Sequence, residues 1–353
     1  MKIGDEIKFD FNDVVIVPKV ETEIRSREEC IPYTKYGDKL DGNLPLIAAP
    51  MDTVVSVENY YQYVKNGIIP CIPRGQYRPT AYNHPISFHS FGLCDVQKSL
   101  YGTREQRSNS IFKKYNYILI DIANGHMKKL RELVGEIKLH HPNVVLMVGN
   151  VAHPDTYVAL ANAGADYVRC SIGTGAGCTT AANVAINYPT GSLITECREK
   201  KIKHGLNAKI VADGGMRNYS DIIKALALGA DYVMIGSLFN KAIESAGFNY
   251  LYGVKISDKL AKTLWRYNFP VKKKYRGMST KAVQRSWGKT KLVTAEGITK
   301  YQKVEYTLEQ WTENFIDYLK SDMSYSNAKT LNDFIGLADY CQITKNAYDR
   351  FNK

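Results

Sequence analysis

Short apolar runs bounded by Gly, Asn or Pro recur along this chain, and segments with helical periodicity separate them. That alternation predicts βα units around a parallel sheet. Eight runs can be counted: Leu44–Ala49, Gly67–Ile72, Ile86–Leu93, Tyr117–Ala123, Val144–Asn150, Ala165–Ser171, Ala208–Asp213 and Ala230–Ile235. An open doubly wound sheet alternates in a similar way, but eight is the number that closes a (β/α)8 barrel, so the count favours that α/β fold. Between the fourth and fifth runs, Met127–His140 places Leu130, Leu133, Val134 and Ile137 on one helical face. Asp155–Ala163 before Gly164 and Tyr219–Leu228 before Gly229 read as further helices, each with a glycine positioned as a C-cap.

Two connections are longer than the rest: Ile172–Pro189 after the sixth run, and Phe248–Lys300 after the eighth run and its helix. Loops at the C-terminal ends of barrel strands build active sites, so chemistry is expected there. A barrel takes about 250 residues, and the 353 here fit one barrel domain spanning 1–353 with a flap-like insertion at 248–300 better than two equal domains.

Composition narrows the function class only slightly. With 44% hydrophobic and 23% charged residues the chain has enough apolar surface for a core, and nothing suggests disorder. A net charge of +12 permits attraction to nucleic acid, anionic lipid or phosphorylated small molecules. No run of five basic residues appears, however, and Lys272-Lys273-Lys274 stands alone, so a general charge bias explains the balance better than a nucleic-acid footprint. The seven cysteines show no CxxC pair and no nearby His cluster, which argues against zinc. The charged start, residues 1–6, does not resemble a signal segment, and no apolar run reaches the roughly 18 residues of a membrane span. A cytoplasmic protein with free thiols is expected.

Candidate chemistry concentrates after the sixth run, in Ser171-Ile172-Gly173-Thr174-Gly175-Ala176-Gly177-Cys178-Thr179-Thr180. Alternating glycines let the backbone turn tightly and approach a ligand, while Cys178 offers a nucleophile and the threonines proton-carrying hydroxyls. The other six cysteines read as inert thiols. The seventh and eighth runs end in Asp213-Gly214-Gly215 and Gly236-Ser237, the two loops that commonly hold phosphate in barrels. Asp121, ahead of Ile122-Ala123-Asn124-Gly125-His126, could accept a hydrogen bond from a sugar hydroxyl, whereas His126 reads as a neutral surface imidazole.

Together these motifs resemble the IMP dehydrogenase and GMP reductase family, from Phe9-Asp10-Phe11-Asn12-Asp13-Val14 through nearly the whole chain. The matching segments include Leu44 to Val54, Gly149-Asn150-Val151, Cys178-Thr179-Thr180, Ala212-Asp213-Gly214-Gly215, Met234-Ile235-Gly236-Ser237 and Tyr275-Arg276-Gly277-Met278-Ser279. The resemblance implies that Cys178 attacks C2 of a purine nucleoside monophosphate while a nicotinamide cofactor exchanges hydride at that carbon. It implies Asp213 on the ribose, Gly215, Gly236, Ser237 and Tyr275 on the phosphate, and Met51, Gly277, Met278 and Ser279 also in the substrate site, Met278 and Ser279 against the base. Asp121, Asn124 and Gly125 fall on the cofactor side, carbonyls of Gly173, Gly175 and Cys178 would hold K+, and homotetramers are expected.

Three features favour the reductase branch, which converts GMP to IMP with NADPH, over the alternative dehydrogenase branch, which oxidises IMP to XMP with NAD. Asp121-Ile122-Ala123-Asn124-Gly125 looks reductase-like, no inserted CBS regulatory domain is evident, and only 16 residues separate Ser279 from Glu296. Arg285-Ser286-Trp287 stands where the dehydrogenase carries an Arg-Tyr pair that activates water. In the reductase reading, Thr180 and Glu296 protonate the leaving amine. The chain departs from the family at Thr174, usually Pro, at Ala176, usually a phosphate-binding Ser, and at Ala181, usually Arg. Loss of that hydroxyl and charge weakens binding by about 1–3 kcal/mol each unless other groups substitute, which leaves a modified purine nucleotide as an alternative substrate. A noncatalytic nucleotide- or RNA-binding protein is the alternative of another class, and the joint presence of Cys178, Thr180 and Glu296 argues against it.

Overall fold

The computed structural model describes residues 7–34, 39–76, 86–286, 290–291 and 294–351. Residues 1–6, Trp287 and the other positions of 287–289 and 292–293 within the 248–300 insertion lie outside the described residues. Eight parallel strands close into a (β/α)8 barrel. In chain order they are Leu46–Ala48, Ile69–Ile72, Phe88–Phe91, Tyr117–Asp121, Val145–Val151, Tyr167–Cys170, Lys209–Asp213 and Tyr232–Ile235, one within or overlapping each apolar run of the sequence. The eighth strand returns to the first through Leu46↔Val233, Ile47↔Met234 and Ala48↔Ile235.

Alternation along each strand sorts side chains between two apolar compartments. In the sixth strand Tyr167 belongs to the barrel interior, while Val168 and Cys170 pack under the surrounding helices. Rings fill the interior edge to face, Phe88 against Tyr117 and Tyr167, and Tyr167 against Tyr232, with centroids 5.5, 5.7 and 5.7 Å apart. Two residues further along the fourth, sixth and seventh strands, the positions in register with Leu119, Tyr167 and Val211 become Asp121, Arg169 and Asp213. The interior therefore changes from apolar to charged at its C-terminal end, and that change positions the site.

The helices follow their periodicity. Lys128–His140 buries Leu130, Leu133, Val134 and Ile137, each contributing about 1.5–3 kcal/mol on removal from water. Pro154–Asn162 and Tyr219–Ala227 end one residue before Ala163 and Leu228, and the glycines follow at φ +104° and +118°. Both ends form Schellman motifs: Ala165 N–H donates to Leu160 O and Gly164 N–H to Ala161 O, with Ala230 to Ala225 and Gly229 to Leu226 repeating the pattern.

After the eighth strand, Asn249–Leu251, Val254–Ile256, Lys272–Arg276 and Thr299–Lys303 form a separate antiparallel sheet. The Lys272–Lys274 cluster is one of its strands, and its central lysine points inward. Lys273 is 1% exposed, its Nζ donates to Ser245 O at 2.5 Å and Gly247 O at 3.2 Å, and burial pulls its pKa down to about 8. Among the described residues no helix is long and apolar enough to cross a membrane.

Candidate active site

Three loops meet at the C-terminal end of the barrel. Ile298 N–H donates to Gly177 O, Thr179 N–H to Glu296 O, and Gly277 N–H to Ile298 O, each at 2.9–3.0 Å. This backbone zipper joins the loop after the sixth strand to the segments that follow Lys272–Arg276 and precede Thr299–Lys303, and Cys178 pairs with Gly297 as an antiparallel bridge. Gly177 permits the approach: a Cβ there would lie 3.0 Å from the Tyr275 ring and 3.1 Å from Gly277 N.

The zipper fixes three side chains in a row. The Cys178 thiol donates to Thr180 Oγ1 at 3.2 Å, and the Thr180 hydroxyl donates to Glu296 Oε2 at 2.5 Å. All three are partly exposed, so the chain of donors is open to a ligand. A thiol, a hydroxyl and a carboxylate in this order can pass a proton from sulfur to carboxylate and return it to a leaving group.

Across the mouth lies a charged lattice. Arg169, 6% exposed, donates from Nη1 to Asp121 Oδ1 at 2.6 Å and from Nε and Nη2 to Asp213 Oδ2 at 3.1 and 2.7 Å. Asn150 Nδ2 also donates to Asp213 Oδ2, at 2.6 Å. Burial would lower the guanidinium pKa, but the charges of Asp213 and Asp121 outweigh it and raise it instead. Arg74 adds a second cation 3.7 Å from Asp121 Oδ2. Asp213 Oδ2 thus serves three donors while Oδ1 has no bond of its own in this lattice.

Tyr275 stands between these two groups and the seventh and eighth strand ends. Its ring is 3% exposed, its hydroxyl lies 3.6 Å from Met51 Sδ, and a Cβ on Gly236 would meet Met51 Sδ at 2.9 Å and the Tyr275 hydroxyl at 3.3 Å. Burial first, then the charges of Asp213 and Cys178, push the Tyr275 pKa up, so its hydroxyl stays protonated as a donor. Gly214 and Gly215 lie against Thr174 and Gly175. Ser237 opens the short helix Ser237–Asn240, Met278 is half-buried and Ser279 exposed beside Gly297. Met51 and Gly236 are therefore gathered around Tyr275, Gly277 lies against Gly177 next to Cys178, and Gly215 lies against Thr174 of the loop that carries Cys178.

The fourth-strand loop borders the same mouth through Asp121. Asn124 Oδ1 accepts His126 N–H, and Gly125 N–H donates to Asn150 O. His126 is exposed; Nε2 accepts Ala152 N–H while Nδ1 meets Thr156 Oγ1, and burial, then His153, lowers its pKa, in keeping with a neutral imidazole. The Gly175 carbonyl accepts Cys178 N–H at 2.8 Å. Among the described residues no group of three or more His, Cys, Asp or Glu side chains could hold a metal ion.

Two participants are absent from the motif reading. Arg169 has a visible signal, a lone charge in the inward register of an apolar strand. Lys300, whose Nζ lies 5.3 Å from the Tyr275 ring centroid, has none, because its place depends on the pairing Tyr275↔Lys300.

A family model described as IMP dehydrogenase / GMP reductase domain matches residues 100–350. Similar proteins include the GMP reductase of Shewanella halifaxensis, 27% identical over 100% of both chains. The GMP reductase of Buchnera aphidicola subsp. Schizaphis graminum is 30% identical over 100% of this chain and 99% of its own, and that of Vibrio atlanticus is 27% identical over 100% of both.

Proposed function

The chain belongs to the IMP dehydrogenase / GMP reductase family, and from that premise we propose that it is a GMP reductase-like oxidoreductase, converting GMP to IMP through a covalent bond to Cys178. The observation that carries the reading is the row Cys178–Thr180–Glu296, at 3.2 and 2.5 Å. The thiol proton passes through Thr180 to Glu296, and the sulfur adds to C2 of the base. Glu296, through Thr180, then protonates the departing 2-amino group, which leaves as ammonia. NADPH, when bound, supplies the hydride that replaces sulfur at C2. Water is not consumed, which suits a site whose acid faces the leaving group.

The remaining residues bind and orient. Asp213, held by Arg169 and Asn150, accepts the ribose hydroxyls through its open oxygen; Gly215, Gly236, Ser237 and Tyr275 take the phosphate; Met51, Gly277, Met278 and Ser279 enclose the nucleotide. Lys300 supplies a cation beside Tyr275 where Ala176 and Ala181 offer neither hydroxyl nor charge. The donor set fits the cofactor: Asp121 carries a carboxylate for sugar hydroxyls, and Asn124, with Oδ1 occupied, retains its NH2 for an amide partner next to Gly125. Neutral carbonyls of Gly173, Gly175 and Cys178 suit K+. The 248–300 insertion serves as a flap that brings Glu296 to the single barrel domain, and the assembly is a cytoplasmic homotetramer.

Purified protein is incubated with GMP and NADPH and, separately, with IMP and NAD, following nicotinamide absorbance with Cys178→Ala alongside. NADPH loss with GMP, lowered about 10⁴-fold or more by the substitution, is expected. NADH formed from IMP would overturn the branch assignment, and silence in both assays would overturn the reaction.

A further inference from the structure

The connection from the third to the fourth barrel strand runs through Leu93–Tyr101, Arg104–Ser108 and Ile111–Lys114. Together with the end of Lys128–His140 it borders a solvent-open cavity of about 630 Å3. Five basic side chains line it: Arg104, Arg107, Lys113, His140 and His141. No aspartate or glutamate does, Glu105 of the same short helix included. Elsewhere the chain pairs its cations, as in Lys8–Glu196, Lys138–Asp166, Lys201–Asp231 and Lys320–Glu28. Among the described residues Arg104, Arg107 and Lys113 form no ion pair.

Like charge gathered without a counterion is unfavourable unless a ligand supplies one. The crowding is felt locally: His141, stacked on Phe112 at 4.6 Å between centroids, has its pKa lowered by burial first, then by His140 and Lys113. Tyr101, also in the lining and 54% exposed, offers an aromatic face at the rim. The volume is that of a pocket for one small molecule, which favours a compact polyanion over a polymer or a lipid surface.

We propose that this cavity is a second binding site, for a chain of phosphates such as that of a nucleoside triphosphate. Arg104, Arg107 and Lys113 contact the phosphates, and Tyr101 stacks on a base where one is attached. The site is remote from the barrel mouth. Lys128–His140 starts from the fourth-strand loop, near Asn124, and its 13 residues carry His140 about 20 Å towards the opposite end of the barrel.

Calorimetric titration of the whole protein with inorganic tripolyphosphate, and separately with ATP, tests this. Saturable binding at one site per chain is expected, undiminished by saturating GMP and weakened about tenfold or more in Arg104→Ala/Arg107→Ala. Both arginines are exposed, so the variant keeps its melting temperature and its rate with GMP and NADPH, which separates this proposal from the reading of the barrel mouth. Equal affinities would assign the site to inorganic polyphosphate, and tighter ATP binding, lost in Tyr101→Ala, to a nucleotide; either supports it. Binding unchanged in the double variant, or abolished by GMP, overturns it, as does an RNA oligonucleotide that binds more tightly than either probe and loses as much affinity in the variant.

Discussion

The two sides of the barrel mouth are held by different means. On one, Asp121, Arg169 and Asp213 are strand residues whose places are set by barrel closure, and their bonds are largely shielded from solvent, with Arg169 itself buried. On the other, Cys178 and Thr180 sit on a loop and Glu296 arrives from 116 residues away, brought in by backbone bonds between loops. The first side is part of the folded core. The second is assembled on top of it, so it can be altered with little consequence for the barrel, and the contrast separates groups that hold the site from the groups to which we assign its chemistry.

The sharpest way to break the comparison is Arg169→Leu. Removing the guanidinium leaves Asp213 with Asn150 and Asp121 with Arg74 at 3.7 Å, two like charges in a part-buried layer, and a loss of about 3 kcal/mol in unfolding free energy is expected, measured by denaturant titration. An unchanged midpoint would mean that Asp121 and Asp213 are solvated, and that the lattice is no part of the core.

Glu296→Gln should do the opposite. The carboxamide keeps the contact to Thr180 but neither takes nor delivers a proton, so kcat falls about 10²-fold or more while stability stays within about 0.5 kcal/mol. Thr180→Val should show a similar deficit, and the double variant little more than either alone, since both interrupt one proton path. Additive losses would separate the two residues into independent roles.

How much of this was legible in the sequence follows the same division. The barrel strands are buried on both faces, so each appears as an apolar run, and all eight runs hold a strand. The insertion strands Lys272–Arg276 and Thr299–Lys303 mix lysine, tyrosine and threonine, and no periodicity marks them. Burial of Lys273 is a tertiary effect, made by the carbonyls of Ser245 and Gly247, which no local pattern encodes. Cys178 was legible because its glycines sit where a barrel places chemistry. Glu296 was visible only through family resemblance, since an isolated Glu-Gly carries no signal of a partner at Thr180. Arg169 is a lone charge within Tyr167-Val168-Arg169-Cys170: the apolar neighbours predict the strand, while its partners Asp121 and Asp213 are set only by barrel closure.

The smallest expected effect concerns the loop side alone. By the resemblance, the family's usual hydroxyl and guanidinium fall at Ala176 and Ala181, whose methyl groups offer an anion neither. Lys300 is placed to compensate: its Nζ lies over the Tyr275 ring, and its pKa is lowered by burial first and then by Lys241, as expected of a cation partly withdrawn from water. A phosphate beside Gly236 and Ser237 would restore its preference for the charged form. Lys300→Met should therefore raise KM for GMP roughly fivefold, about 1 kcal/mol for a half-exposed charge pair, with kcat unchanged. Guanosine, lacking the phosphate, should bind both proteins equally in a competition assay. Equal losses for GMP and guanosine would place Lys300 in the support of Tyr275 instead, and the loop side would then hold its anion with backbone groups alone.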